Sequence, residues 1–207
     1  MSAVLSRIVP NVVHEYDNEK RYTDIISRLL DDRIIMLVGP IDDEVSAVIC
    51  AQLLHLQSKG TDPISLYINS PGGSITAGFA IYDVMRGRSK TLDVHTICFG
   101  QACSAASMLL CAGDVRSATE NSRIMIHQPA GSMNGQAEDL YIYVKEILRL
   151  KERALDIYNK HTNMSRKELE EYFDRDTIME PIDAKKRGII DEVEENGAVK
   201  FKKKEVA

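Results

Sequence analysis

No stretch of the 207 residues approaches the roughly 18 consecutive apolar positions that a membrane helix needs. The opening segment, Met1 to Pro10, also lacks a basic start followed by an apolar run, so the chain reads as cytoplasmic, with no membrane as partner. Basic excess is missing as well. Lys and Arg number 26 against 31 Asp and Glu, a formal charge of −5, which offers no counter-charge to a nucleic-acid backbone. The four cysteines, Cys50, Cys98, Cys103 and Cys111, form no Cys-x-x-Cys pair. Cys98 and Cys103 lie among apolar and small residues, which predicts buried reduced thiols instead of a disulfide framework. His14, His55, His95 and His161 have no spacing to one another or to carboxylates that suggests a metal site. Neither Gly-x-Gly-x-x-Gly nor a Gly-Lys-Ser/Thr phosphate loop occurs, so no cofactor is expected and ATP hydrolysis by this chain is excluded.

What is present is an ordinary globular chain, 44% apolar and 28% charged, of a length that suits one domain. Four β-rich runs begin at Ile34, Ser65, Val94 and Arg123, spaced 31, 29 and 29 residues apart. Helical patterns fill the gaps at Glu44–Ser58, Ile75–Arg86 and Ala105–Ala112. Parallel strands need crossovers of about this length, so the rhythm predicts an α/β fold of βαβ repeats. After His127 the rhythm stops. A Gly/Ser-rich loop over Ala130–Gly135 leads into a helical pattern from Ala137 to His161, with Leu140, Val144, Ile147, Leu148, Leu155 and Tyr158 on one stripe. Such a helix is roughly 40 Å long, more than a domain of this size covers easily, which predicts protrusion onto a partner subunit. Beyond it, Ser165 and Glu168 have capping-box spacing, a short helix runs from Pro181 to Arg187, and a strand is expected over Ile189–Val193. Lys200 to Ala207 are polar and expected to fray.

The chemistry gathers at strand ends. Ser104 follows the third run and opens a small-residue helix, where free backbone N–H groups and the positive helix end surround its hydroxyl. A serine there can simply cap the helix. His127, at the end of the fourth run, is one repeat away and could take the hydroxyl proton as a general base. Asp174 and Asp176, in Asp-Arg-Asp, are both candidates to orient the imidazole, although such a cluster is usually solvated. Asn69-Ser70-Pro71-Gly72-Gly73 supplies a turn that a substrate could approach closely, with Gly73 N–H and Ala105 N–H as an oxyanion pair. The Gly-x-Ser-x-Gly elbow of the α/β-hydrolases is absent.

Several long motifs in the same order make the chain resemble the proteolytic-subunit family of the Clp protease, a caseinolytic serine endopeptidase. They are Ile8-Val9-Pro10, Ser27-Arg28-Leu29-Leu30 through Arg33-Ile34-Ile35, Tyr67 to Gly78, Gly100 to Ser104, Asn121 to Pro129, Lys145 to Arg153, and the closing Asp174 to Asp191. The resemblance implies Ser104 as nucleophile, His127 as general base, Asp176 as its orienting acid, and Gly73 and Ala105 as oxyanion donors. It implies a crotonase-like spiral in one domain, with a head over about 8–129 and 162–193, a handle over about 130–161 and a polar tail over 194–207. Two stacked seven-membered rings, a tetradecamer, would enclose the active sites, with the handle between rings and Asp174 and Arg175 at the inter-ring contact. Unfolded polypeptide would be threaded in by a separate AAA+ unfoldase that supplies the ATP hydrolysis, and Gly131–Gly135 would pair an extended substrate with a strand edge.

Departures from the family pattern cluster. Ala105 stands where methionine usually follows the nucleophile. The family's outer apolar docking pocket keeps Tyr67 but meets Ser65, Gly87, Ser117 and Thr119 at its other positions. Weak unfoldase docking by a ring of this chain alone is therefore expected, with a related second subunit supplying the face. The rival functions are a catalytically silent or regulatory subunit of a mixed ring and, more remotely, a crotonase-type acyl-CoA enzyme that would not need Ser104.

Overall fold

A computed structural model describes residues 9–16, 19–87 and 92–194. Ile8 and the tail from 195 onward, including Lys200–Ala207, lie outside the described residues. The chain runs β1 (Asn11–Tyr16), β2 (Glu19–Asp24), α1 (Ile25–Asp31), β3 (Ile34–Val38), α2 (Asp43–Lys59), β4 (Ile64–Ser70), α3 (Ile75–Met85) and β5 (Val94–Cys103). It continues with α4 (Ala105–Cys111), β6 (Val115–Thr119), β7 (Arg123–Ile126), α5 (Ala137–His161), α6 (Arg166–Phe173), β8 (Thr177–Met179), α7 (Pro181–Lys186) and β9 (Glu192–Glu194).

The main sheet has the order β3-β4-β5-β6-β9, all parallel, as the βαβ rhythm requires. Alternation along β4 buries Ile64, Leu66 and Ile68 and leaves Ser65 and Tyr67 half-exposed on the other face. The crossover helices α2 and α3 cover the core face with Ile49, Leu53 and Leu56 and with Ala77, Ile81 and Met85. Asp42 and Ser74 start these helices by accepting from the backbone N–H of Val45 and Ala77, respectively. Every residue of α4 is buried, which is why its first turn is made of Ala105, Ala106 and Ser107: larger side chains would not fit between sheet and helices.

Strand β5 carries a fork. Its first half, His95–Cys98, pairs with β6, and its end, Gln101–Cys103, pairs with β7 along Arg123–Met125. Between the halves Gly100 sits at φ 84, and the β4 register jumps from Ile68↔Cys98 to Ser70↔Ala102. Two neighbours therefore share one strand. A rhythm of one strand per repeat counts four runs and passes over β6, whose sequence Val-Arg-Ser-Ala-Thr has little strand character, and over three-residue β8, the one antiparallel member of this sheet. The closing strand also differs: Ile189 and Ile190 are buried ahead of it, and pairing with β6 starts only at Glu192, after Asp191 has been pinned by Arg116.

Helix α5 has the bounds its sequence pattern predicts. Its last third packs through Ala154, Leu155 and Tyr158, whereas Leu140, Tyr141, Ile142, Val144 and Leu148 are exposed. Among the described residues, Leu140, Val144 and Leu148 of the apolar stripe therefore find no cover. Among the described residues no helix is long and apolar enough to cross a membrane.

Candidate active site

The site forms where β4, β5 and β7 end. The turn after β4 is knitted down by three hydrogen bonds donated by backbone N–H groups. Gly72 N–H donates to Ser70 Oγ at 3.0 Å, Ile41 N–H donates to Gly72 O at 2.8 Å, and Ser74 N–H donates to Ile41 O at 2.8 Å. These bonds leave Gly73 N–H without an acceptor among the described residues. Both glycines are required by space. A Cβ on Gly72 would meet Cys103 O at 2.5 Å and Ser104 Cβ at 2.8 Å, and one on Gly73 would meet Ile41 O at 2.2 Å. The turn thus lies directly against the nucleophile candidate.

Ser104 stands at φ 58, ψ −124, a backbone state that side-chain-bearing residues rarely adopt. Its N–H donates to Met125 O at 2.8 Å, the bond that continues the β5–β7 ladder and brings His127 alongside. The hydroxyl makes no cap bond to α4, so helix capping does not account for it. It lies instead 2.9 Å from His127 Nε2, and His127 Nδ1 lies 3.0 Å from Asp176 Oδ1. An ionised carboxylate only accepts, so the imidazole proton sits on Nδ1 and Nε2 is free to accept from Ser104. Between the two aspartates the structure selects Asp176 as the neighbour of His127.

The loop bearing Asp176 is held by backbone atoms. Gln128 N–H donates to Phe173 O at 2.9 Å, Gln128 Nε2 donates to Asp174 O at 3.0 Å, and Thr177 Oγ1 donates to Tyr172 O at 2.9 Å. Lys151 on α5 donates to Gln128 Oε1 at 3.1 Å, so the long helix braces the residue next to His127. Asp174 and Arg175 are on the surface, with 3.9 Å between Arg175 Nε and Asp174 Oδ2.

A cleft of about 360 Å³ opens beside these groups, and Gly73, Ser104, Ala105 and His127 line it together with Ile75, Met108, Ala154 and Tyr158. The chemistry it offers is a hydroxyl with a base attached, two backbone N–H groups and an apolar wall. The cysteines stay outside this chemistry: burial pushes the thiols of Cys98 and Cys111 up to about 12, and the described cysteines are all free thiols. Burial also pushes the Tyr158 phenol well above its usual range, so it keeps its proton. Among the described residues no group of His, Cys, Asp and Glu is placed to hold a metal ion.

On the far face of the sheet, Tyr67 packs edge-on against Phe99 with centroids 6.0 Å apart. Ser117 donates to Glu194 Oε1 at 2.5 Å, and Thr119 pairs with Glu194 in the sheet. Burial, then the Glu194 carboxylate, pushes the Tyr67 hydroxyl up, so an acid sits near this face. Sequence reasoning does not reach Glu194, because its contact with Ser117 depends on β9 joining β6. Ser107 and Gln128 are missed for a related reason: neither residue type announces a role until the fold sets its partners beside it.

A Clp protease family model matches residues 17–197 of the 207-residue chain, a span that includes every residue of this site. The hydroxyl after β5, the imidazole after β7 and the carboxylate before β8 thus lie inside the matched region, and the chain belongs to the Clp protease family.

Proposed function

We propose that this Clp-type peptidase is a serine endopeptidase that cleaves unfolded polypeptide through an acyl-enzyme. The observation that carries the reading is the continuous contact Ser104 Oγ–His127 Nε2–Nδ1–Asp176, at 2.9 and 3.0 Å. In the proposed reaction His127 takes the Ser104 proton as the oxygen attacks a substrate carbonyl, and then gives it to the leaving amine. Asp176 holds the ring in the tautomer that leaves Nε2 free and stabilises the imidazolium that forms. The developing oxyanion is received by Gly73 N–H and Ala105 N–H, and loss of one such donor typically costs about 10²–10³ in rate. Water, activated by His127, hydrolyses the acyl-enzyme. The acyl-CoA alternative leaves the hydroxyl–imidazole contact without a use, and the silent-subunit alternative leaves the whole triad without one.

The proposed assembly is two stacked seven-membered rings in a crotonase-like fold, with α5 as the handle and Asp174 and Arg175 at the inter-ring contact. The uncovered stripe of α5 supports this. A separate AAA+ unfoldase would supply ATP hydrolysis and deliver substrate to the enclosed cytoplasmic chamber. The Ser117–Glu194 pair supports weak docking of that partner by this chain alone, since a carboxylate stands near where an apolar side chain would seat a loop. A related subunit in a mixed ring would then provide the stronger face.

The test is turnover of a short fluorogenic peptide by the purified full chain. Cleavage by the wild type and its loss in Ser104→Ala are expected. Equal cleavage by both proteins would contradict the reading.

A further inference from the structure

Two backbone N–H groups and a bonded pair of hydroxyls converge on one carbonyl oxygen beside the nucleophile. Ser104 O accepts from the backbone N–H of Ser107 at 3.0 Å and of Met108 at 3.2 Å. Ser107 Oγ lies 2.8 Å and Tyr158 OH 3.3 Å from the same oxygen. The two hydroxyls lie 2.6 Å from each other, and Ser107 Oγ is 2.8 Å from Met125 O, the acceptor of Ser104 N–H. Ser107 is fully buried and Tyr158 is 2% exposed, its ring held edge-on against Phe173 at 5.2 Å between centroids. Two hydroxyl protons serve these contacts: one lies between the two hydroxyls and the other goes to a carbonyl oxygen, so the pair is linked.

The consequence follows from the peptide bond. Ser104 C=O and Ala105 N–H belong to one planar trans unit, so they point in opposite directions from a rigid plate. That plate adjoins a residue at φ 58, ψ −124, so it is held by the first turn of α4 and the hydroxyl pair against the local backbone preference. Whatever fixes the carbonyl fixes the N–H. We propose that Tyr158 and Ser107 form a hydroxyl latch that draws the Ser104 carbonyl inward and thereby aims Ala105 N–H at the cleft. Both are positioning residues for the oxyanion donor, and neither acts on a reacting atom. The inference rests on the peptidase reading above and deepens it: α5, which leaves the core over its first half, reaches the oxyanion site through one phenol oxygen near its end.

Tyr158→Phe removes that oxygen and leaves the ring on Phe173; Ser107→Ala removes the second hydroxyl. For the assembled full chain, kcat and KM on a short fluorogenic peptide are measured with the rate of labelling by a fluorophosphonate, whose phosphoryl oxygen needs the same donor, and with thermal melts. The wild type is expected to take label at Ser104. Each variant should lose about tenfold in kcat and in labelling rate, less than removal of a whole donor. KM should stay within about twofold, the melts should stay close, and the double variant should fall no further than the worse single one, because the pair acts as a unit. Variants that react at the wild-type rate, change only in KM, or lose activity only in proportion to unfolded chain would overturn the latch and leave the peptidase reading intact. A wild-type chain that takes no label removes that reading, and the latch with it.

Discussion

Asp176 keeps 69% of its side chain in solvent while it meets His127 Nδ1 at 3.0 Å, so its effect on the site and its effect on the fold should separate cleanly. For Asp176→Asn the folded state should change by no more than about 0.5 kcal/mol, as for other surface substitutions. Turnover should fall far more, on the order of 10³–10⁴, because an amide can donate to Nδ1 and favour the tautomer that blocks Nε2. Denaturant midpoint and peptide turnover measured on the same preparation check this, and a parallel loss of both would contradict an orienting role. Asp176 shares its loop with Asp174, and the residues alone leave both open, whereas Ser104, His127 and Gly73 are legible in the sequence because each adjoins a strand end: Ser104 follows β5, His127 follows β7, and Gly73 lies in the turn after β4. Tyr158 is not, since it reads as one more apolar position of a helical stripe. Its partner Ser107 is 51 residues away, and only packing brings their hydroxyls to 2.6 Å.

Elements are held at their ends by polar side chains more than by their own propensities. Arg116 on β6 donates to the carbonyls of Cys111, His161 and Gly188 and pairs with Asp191, so one guanidinium joins the ends of α4, α5 and α7. Beside it His161 shares a 3.0 Å bond with Tyr82 OH and has its pKa lowered to about 4, by burial first and then by Arg86, Lys160 and Arg116, with Asp114 opposing. In the unfolded chain the same imidazole titrates near about 6.5. At pH 7 both states are neutral; as pH falls from about 6.5 towards 4 the unfolded chain binds a proton that the native chain refuses, and stability is lost over that window. About 1–2 kcal/mol should be lost at pH 5, after allowance for solvent around the half-buried ring. In His161→Gln the drop in unfolding free energy between pH 7 and 5 should shrink by that amount; an unchanged drop would show that other groups carry it. The βαβ core was readable at this scale because parallel strands impose a spacing. The fork at Gly100 was not, because it needs two strands to share one edge of β5, and periodicity along a chain carries no record of which strands lie side by side.

The whole molecule ends in an unfinished surface. Leu140, Tyr141, Ile142, Val144 and Leu148 stand exposed along one helix, and each aliphatic side chain covered by a partner is worth about 1.5–3 kcal/mol. The combined variant Val144→Glu/Leu148→Glu should therefore melt close to the wild type as a chain yet show a smaller native mass, because in the proposed assembly the lost contacts lie between subunits. A native mass unchanged from the wild type would contradict the proposed handle role. The helix and its bounds are legible because the apolar stripe repeats over 25 residues; what covers its exposed positions belongs to the proposed assembly. The central claim remains the proton path from Ser104 through His127 to Asp176. Intact-mass and peptide mapping after fluorophosphonate treatment tests it most directly. One adduct on Ser104, absent in Ser104→Ala and nearly absent in His127→Ala, is the expected result. An adduct elsewhere, or one that forms as readily without the imidazole, would contradict it.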